Sequence, residues 1–104
     1  ETLGNYVLNG GDISVLLPEL LEKLKLMHNL GYIHRDLHCD NVMLSNDDNI
    51  FFIDFTFSEK STNIELRMAD VAKLHKSLVD PPYKVSLRKL ASLRKYYTNL
   101  KEQE

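Results

Sequence analysis

The sequence predicts a mainly α fold with a small β-hairpin, an α+β domain, on three observations. Apolar residues recur at helical spacing in three stretches, and two short β-prone runs flank an Asn/Asp cluster. The composition, 43% hydrophobic and 27% charged over 104 residues, is that of an ordinary globular chain able to bury one small core. Disordered, collagen-like and coiled-coil classes are thereby excluded. No apolar run of about 18 residues occurs, and the first nine residues lack the basic start and apolar stretch of a signal peptide, so no membrane span is expected. The single cysteine, Cys39, forms neither an internal disulfide nor a zinc cluster, which suits a reducing compartment. A soluble, cytoplasmic protein is expected.

Asn5 to Val7 reads as the end of an extended segment entering a turn at Gly10 and Gly11, where glycine permits backbone angles that other residues resist. Asp12 suits a helix N-cap. From there apolar residues fall at 13, 16, 17, 20, 21, 24, 27 and 30, one buried helical stripe. Pro18 is tolerated in a first helical turn but not in an interior, which puts the start of this long helix near Leu17, after a short separate turn. Asn29 and Gly31 supply its stop. Residues 32–41, polar and irregular, read as a loop. Val42 to Ser45 and Ile50 to Ile53 form the arms of a hairpin around Asn46-Asp47-Asp48-Asn49, leaving Asp54 just past a strand end. Thr62 and Glu65 have capping-box spacing, and Ile64, Met68, Val71, Ala72, Leu74, His75 and Leu78 mark a second amphipathic helix, ended by Pro81-Pro82. A third helix is predicted over 86–100, with Leu87, Leu90, Ala91, Leu93, Tyr97 and Leu100 apolar.

Three oxygen-bearing side chains stand out: Asp36 and Asn41 on the loop, and Asp54 at the end of a hairpin that can fold back beside it. Carboxylate and amide oxygens are what a hard cation such as Mg²⁺ takes, in small numbers beside substrate phosphates. Asp36 has a second reading, as the base that accepts a proton from an attacking hydroxyl, which leaves Asn41 and Asp54 for metal.

These residues sit in a known pattern. His34-Arg35-Asp36-Leu37-His38-Cys39-Asp40-Asn41 fits the protein-kinase catalytic loop H-R-D-L-x-x-x-N at every specified position, and Asp54-Phe55-Thr56 resembles D-F-G in the place expected after a hairpin. Residues 6–12 also resemble the hinge that follows a kinase N-lobe. The chain therefore resembles a kinase-like C-lobe that lacks its N-lobe. Residues 1–12 are a hinge-like segment, 13–80 the lobe core with catalytic loop 34–41 and D-F-G-like 54–56, and 81–104 a basic C-terminal helix. The resemblance implies Asp36 as catalytic base, Asn41 and Asp54 as ligands of Mg²⁺ or Mn²⁺, and His38, Asn41 and Asp54 as contacts to ATP, the co-substrate. His34, Arg35 and Asp70 are implied as structural support of the site.

Departures from the pattern narrow the branch. His38 stands where typical protein kinases carry lysine and is similar to the H-x-D-L-H of aminoglycoside- and choline-type kinases; it is either a donor to a phosphate oxygen or an exposed loop residue. Arg35 has two readings, a partner of a phosphorylated activation segment or a partner of an acidic neighbour. Thr56 in place of the D-F-G glycine adds a Cβ and restricts flipping of that segment. Fifteen residues separate Asp54 from Asp70 and no A-P-E appears, so a regulated activation loop does not fit. Asp70, placed at the start of the second helix, resembles the aspartate that hydrogen-bonds the catalytic-loop backbone; it is alternatively a carboxylate favoured by the helix dipole. The compactness resembles minimal kinases: RIO-like and tRNA-modification-associated kinases, lipopolysaccharide core kinases and small bacterial effector kinases, the last secreted into a host cytoplasm. Too few residues follow Asp54 for the helical substrate subdomain of aminoglycoside kinases, which points to a macromolecular acceptor such as protein Ser/Thr.

No glycine-rich phosphate loop or strand lysine occurs, so this chain by itself is expected to be inactive, its N-lobe supplied by upstream sequence or a second chain. Charge is uneven: residues 1–80 hold 7 Lys/Arg against 13 Asp/Glu, residues 81–104 hold 6 against 2. The basic tail suits either a solvated helix face or an acidic or nucleic-acid partner. Two functions follow, a catalytic phosphotransferase lobe or a non-catalytic kinase-like binding module using that tail. Arg67, Lys73, His75 and Lys76 either line an acceptor groove or are solvated surface charges.

Overall fold

A computed structural model describes residues 1–47 and 49–104. Helix α1 (Leu3–Leu8) leads to α2 (Ile13–Asn29), the short strand β1 (Tyr32–Ile33), a loop closed by a 3₁₀ turn at Cys39–Asn41, and the hairpin β2 (Val42–Leu44) and β3 (Ile50–Phe52). Strand β4 (Glu59–Lys60), helix α3 (Ile64–Val79), a second 3₁₀ turn at Leu87–Leu90 and helix α4 (Ala91–Glu102) complete the chain. The mainly α architecture with one small hairpin is the expected class.

The segment Asn5 to Val7 is helical, not extended. Thr2 caps α1 by accepting the Asn5 N–H at 3.0 Å, and the cap itself is extended and bridges to Met43. Gly10 takes the left-handed turn (φ +89°) that releases the chain toward α2. Asp12 is the N-cap of α2, its carboxylate accepting from the Ser14 amide at 3.0 Å and hydroxyl at 2.7 Å. The helix runs unbroken from Ile13 through Pro18, so the expected start near Leu17 is corrected. Pro18 leaves the Ser14 carbonyl without its helical donor, but both residues are exposed, so that group is open to solvent, while Ile13, Leu16 and Leu17 anchor the first turns in the core. The stripe continues through Leu20, Leu21, Leu24 and Met27 and ends on His28; Leu30, counted in it from sequence, is the C-cap and 66% exposed. Gly31 at φ +90° terminates the helix as expected.

The β2–β3 hairpin pairs Val42 with Phe52 and Leu44 with Ile50, with Val42, Leu44 and Ile50 facing the core. Part of its predicted turn, Asp48, lies outside the described residues. Strand β1 emerges from what reads as loop: Tyr32 and Ile33 pair antiparallel with Lys60 and Glu59. Asn63, not Thr62, caps α3, accepting the Leu66 N–H at 3.1 Å. Its side chain is the one placed three residues before an orphan amide, and the capping-box reading is corrected.

The predicted third helix is split by its backbone into the 3₁₀ turn and α4, and its burial differs from expectation. Leu87 and Ala91 are exposed, whereas Tyr96 joins Leu90, Leu93 and Leu100 in the core. Helix α4 packs on α3 and α2, so the basic tail belongs to the same core as the rest of the chain.

Candidate functional site

One face of α3 holds the loop. Asp70, Lys73 and Ser77 recur at three- and four-residue steps, which puts them on a single helical stripe. Asp70 is 2% exposed and accepts three hydrogen bonds: Oδ2 accepts the His34 N–H and the His28 ring at 2.9 Å each, and Oδ1 accepts the Arg35 N–H at 2.9 Å. Ser77 Oγ accepts the Cys39 N–H at 3.0 Å. The loop is thus gripped by its backbone at both ends. Asp70 lies in the second turn of α3 rather than its first, so the dipole reading gives way to the backbone-binding one.

The grip holds Arg35 at φ +71°, a left-handed conformation that costs a non-glycine residue on the order of 1–3 kcal/mol and persists only under tertiary restraint. Its guanidinium meets Glu59 at 3.3 Å, both side chains being well exposed, which is the acidic-neighbour reading of this residue. Behind Asp70 the network extends into the core. His28, fully buried, donates Nε2–H to Asp70 and accepts at Nδ1 from the Tyr96 hydroxyl at 2.9 Å, and Arg67 donates to the His28 carbonyl at 2.8 Å. Burial raises the Tyr96 phenol above its ordinary range, which keeps it a hydroxyl donor.

His34 joins the loop to the hairpin. Its Nδ1 accepts the Asp36 N–H at 3.1 Å, which assigns the hydrogen to Nε2 and directs it to the Ile53 carbonyl at 2.7 Å. Ile53 N–H in turn donates to the Asn41 carbonyl at 2.9 Å. One side-chain and one backbone hydrogen bond therefore bring the residue before Asp54 onto the loop that carries Asp36 and Asn41. Phe55 lies against the His34 ring, centroids 4.8 Å apart.

Asn41 is buried and gives its amide N–H to the Asp36 carbonyl at 2.8 Å. His38 Nδ1 accepts the Asp40 N–H at 3.2 Å, with Nε2 facing Asp36 Oδ2 at 3.8 Å and the Asn41 amide nitrogen at 3.3 Å. His38 is therefore a member of the loop cluster, not a free surface side chain. Lys73 Nζ donates to Asp36 Oδ1 at 2.7 Å, and this hydrogen bond is the main reason the Asp36 carboxyl is held below its usual range. Asp54 is exposed at φ +59°, a conformation aspartate tolerates better than most residues, and Thr56 donates its hydroxyl to Asp54 Oδ1 at 2.6 Å. The residue standing for the D-F-G glycine thus orients the aspartate directly.

These links tie the loop that carries His34, Arg35, Asp36, His38 and Asn41 to Asp70 and to the hairpin end immediately before Asp54. Sequence reading did not find Lys73 as an Asp36 partner, nor His28 and Tyr96 as members of the Asp70 network. Lys73 had a signal in its three-residue step from Asp70. His28 had one in its four-residue step from Leu24. Among the described residues, no three His, Cys, Asp or Glu side chains cluster as a self-sufficient metal site.

A backbone-gripped acidic loop beside a hairpin-end aspartate defines a kinase-like lobe. The family described as "Phosphotransferase enzyme family" (APH) matches residues 11–91, and the chain belongs to it. The chain is similar to the serine/threonine-protein kinase CST20 of Candida albicans, 41% identical over 64 residues, covering 62% of this chain and 5% of that protein. It is also similar to the serine/threonine-protein kinase STE20 of Debaryomyces hansenii (36% over 67 residues; 64% and 6%) and to shk1/pak1 of Schizosaccharomyces pombe (39% over 57 residues; 55% and 9%). The chain spans less than a tenth of the length of these relatives. The matching family is described as one of phosphotransferases, and these relatives are described as serine/threonine-protein kinases. Among the described residues no helix is long and apolar enough to cross a membrane.

Proposed function

We propose that this chain is the catalytic C-lobe of an ATP- and Mg²⁺-dependent kinase that transfers the γ-phosphate to a hydroxyl on a macromolecule such as protein Ser/Thr. The observation that supports this reading is the double tether of the hairpin end to the loop, through His34 Nε2 and the Ile53 amide, which joins the residue before Asp54 to the loop that carries Asp36 and Asn41. The donor chemistry fits the metal: one exposed carboxylate and one amide oxygen, both hard and few, leave the remaining positions to phosphate and water. Asp54 and Asn41 would hold the ion, which supplies charge neutralisation on the phosphates when bound.

Asp36 orients the acceptor hydroxyl and takes its proton. The hydroxyl oxygen bonds to the γ-phosphorus as the bond to the β,γ-bridging oxygen breaks, and ADP leaves with that electron pair. His34 and Asp70 do no chemistry; they fix the loop so that Asp36 meets the hydroxyl in one orientation. The glycine-rich loop and strand lysine of a complete nucleotide cradle are expected from outside these 104 residues. The binding-module reading has less support, since Lys89 pairs with Asp12 at 3.5 Å and Arg94 donates to the Leu87 carbonyl, so part of the tail's charge serves the fold.

The test is transfer of labelled γ-phosphate from Mg-ATP to a cell lysate by the full-length protein, its Asp54→Asn variant and its Asp36→Asn variant. Transfer by the unsubstituted protein and its loss in both variants is expected. Equal labelling by all three contradicts the proposal.

A further inference from the structure

We infer that Lys73 is a catalytic residue of this site, a cation delivered from helix α3 to the transferred phosphoryl group. The inference rests on the phosphotransfer reading above and assigns that site a residue outside both of its motifs. In phosphoryl transfer, charge spreads over the equatorial oxygens of the moving group, and cations placed around them lower the barrier. Between Asp36 and Asn41 the loop offers Leu37, His38, Cys39 and Asp40, with no lysine or arginine. The geometry places one there from another element: Lys73 Nζ lies 2.7 Å from Asp36 Oδ1, with its side chain 49% exposed.

An ammonium has three donors, and one of them suffices for Asp36. The others are left for a ligand on a side chain 49% exposed, next to the carboxylate where the acceptor hydroxyl and the γ-phosphate must meet if Asp36 is the base. The position is set by the fold rather than by the ion pair. Asp70, three residues earlier on the same stripe, is locked to the His34 and Arg35 amides, so the spacing between α3 and Asp36 is fixed before any substrate arrives. Neighbouring cations are committed elsewhere: Arg35 to Glu59, Arg67 to the His28 carbonyl and Lys76 to Asp80. Among the described residues, Lys73 is the one lysine or arginine paired with Asp36. During transfer, as the oxygen-to-phosphorus bond forms, the β,γ-bridging bond breaks and the hydroxyl proton passes to Asp36, Lys73 stays charged and exchanges no proton; its N–H groups follow the phosphoryl oxygens.

The experiment compares the full-length protein with its Lys73→Met and Lys73→Arg variants, measuring kcat and KM for ATP together with the affinities for Mg-ADP and Mg-ATP. For Lys73→Met the expected result is a fall in kcat of roughly 10²-fold, the order seen when one preorganised charge-stabilising donor is removed. Mg-ADP affinity is expected to stay unchanged, because ADP lacks the group Lys73 contacts. Lys73→Arg is expected to recover at least about tenfold of the loss, since it restores the charge. A merely structural ion pair would move the melting temperature and leave the ratio of ATP to ADP affinity alone. Full kcat in Lys73→Met, or equal weakening of both nucleotides, overturns the inference while the unsubstituted protein remains active. Should Lys73→Met not fold, a kcat for Lys73→Arg that falls by up to about tenfold, with a lowered ATP-to-ADP affinity ratio and unchanged melting, supports a contact to the phosphoryl group, and an undiminished kcat together with an unchanged ATP-to-ADP ratio overturns it. Inactivity of the unsubstituted protein removes the underlying reading itself.

Discussion

Asp70 and Asp54 lie sixteen residues apart and serve opposite ends of the same site. Asp70 is buried and accepts three hydrogen bonds from groups that no other residue satisfies. Asp54 is exposed, left-handed and oriented by one hydroxyl. A buried carboxylate with three hydrogen bonds from inside the protein is scaffold, whereas one held in place with most of its acceptor capacity open is available to a ligand. Burial and internal hydrogen bonding, not residue type, separate the part that shapes the loop from the part that can act.

That contrast breaks most visibly at Asp70. Asp70→Ala leaves the His34 and Arg35 amides and the His28 ring without their acceptor, and a loss of about 3–5 kcal/mol is expected in denaturant unfolding. A smaller step lies behind it. Tyr96→Phe deletes only the hydroxyl that closes the network on His28, and an equilibrium unfolding curve should show a cost of about 1 kcal/mol. If Tyr96→Phe cost as much as Asp70→Ala, the tail helix rather than α3 would be what holds the loop. At the opposite end, Asp54→Asn retains a residue suited to the left-handed backbone, and its stability should stay within about 0.5 kcal/mol of the original.

The smallest effect sharpens the comparison through pH. His75, at the α3–α4 contact, is held below its ordinary pKa, first by burial and then by the nearby Arg94. The folded state therefore binds this proton less readily than the unfolded chain, whose histidine titrates near 6.5. Its contribution is complete above that value and is lost as the pH falls from there through the lower folded-state pKa. Melting temperatures followed from pH 7.5 downward should decline less for His75→Gln than for the unsubstituted chain.

The long helix was legible because burial of one face repeats every three to four residues, and the loop because five specified motif positions coincide. Helix α1 was not, since it is one short helix of six residues whose start rests on a single hydroxyl, that of Thr2 accepting the Asn5 N–H. Strands β1 and β4 are two residues each and 25 residues apart, too short for any alternation to register. The start of α2 was misplaced because the cost of Pro18 depends on whether the freed carbonyl meets water, which only the packing reveals. Lys73 was seen as one of several surface charges; its significance needs Asp70 to be known as the residue that docks α3 on the loop. Tyr96 was passed over for Tyr97 because both rings fit an amphipathic helix, and only the buried His28 hydroxyl partner distinguishes them.

The central claim is that Asp54 and Asn41 face a metal-bound nucleotide, and it is tested most directly by titrating the full-length protein with ATP, with and without Mg²⁺, before and after Asp54→Asn. The account predicts tight binding that depends on Mg²⁺ in the unsubstituted protein and loses that dependence in the variant, with folding unchanged. Binding that is insensitive to Mg²⁺ in both proteins, or equally Mg²⁺-dependent in both, would contradict it.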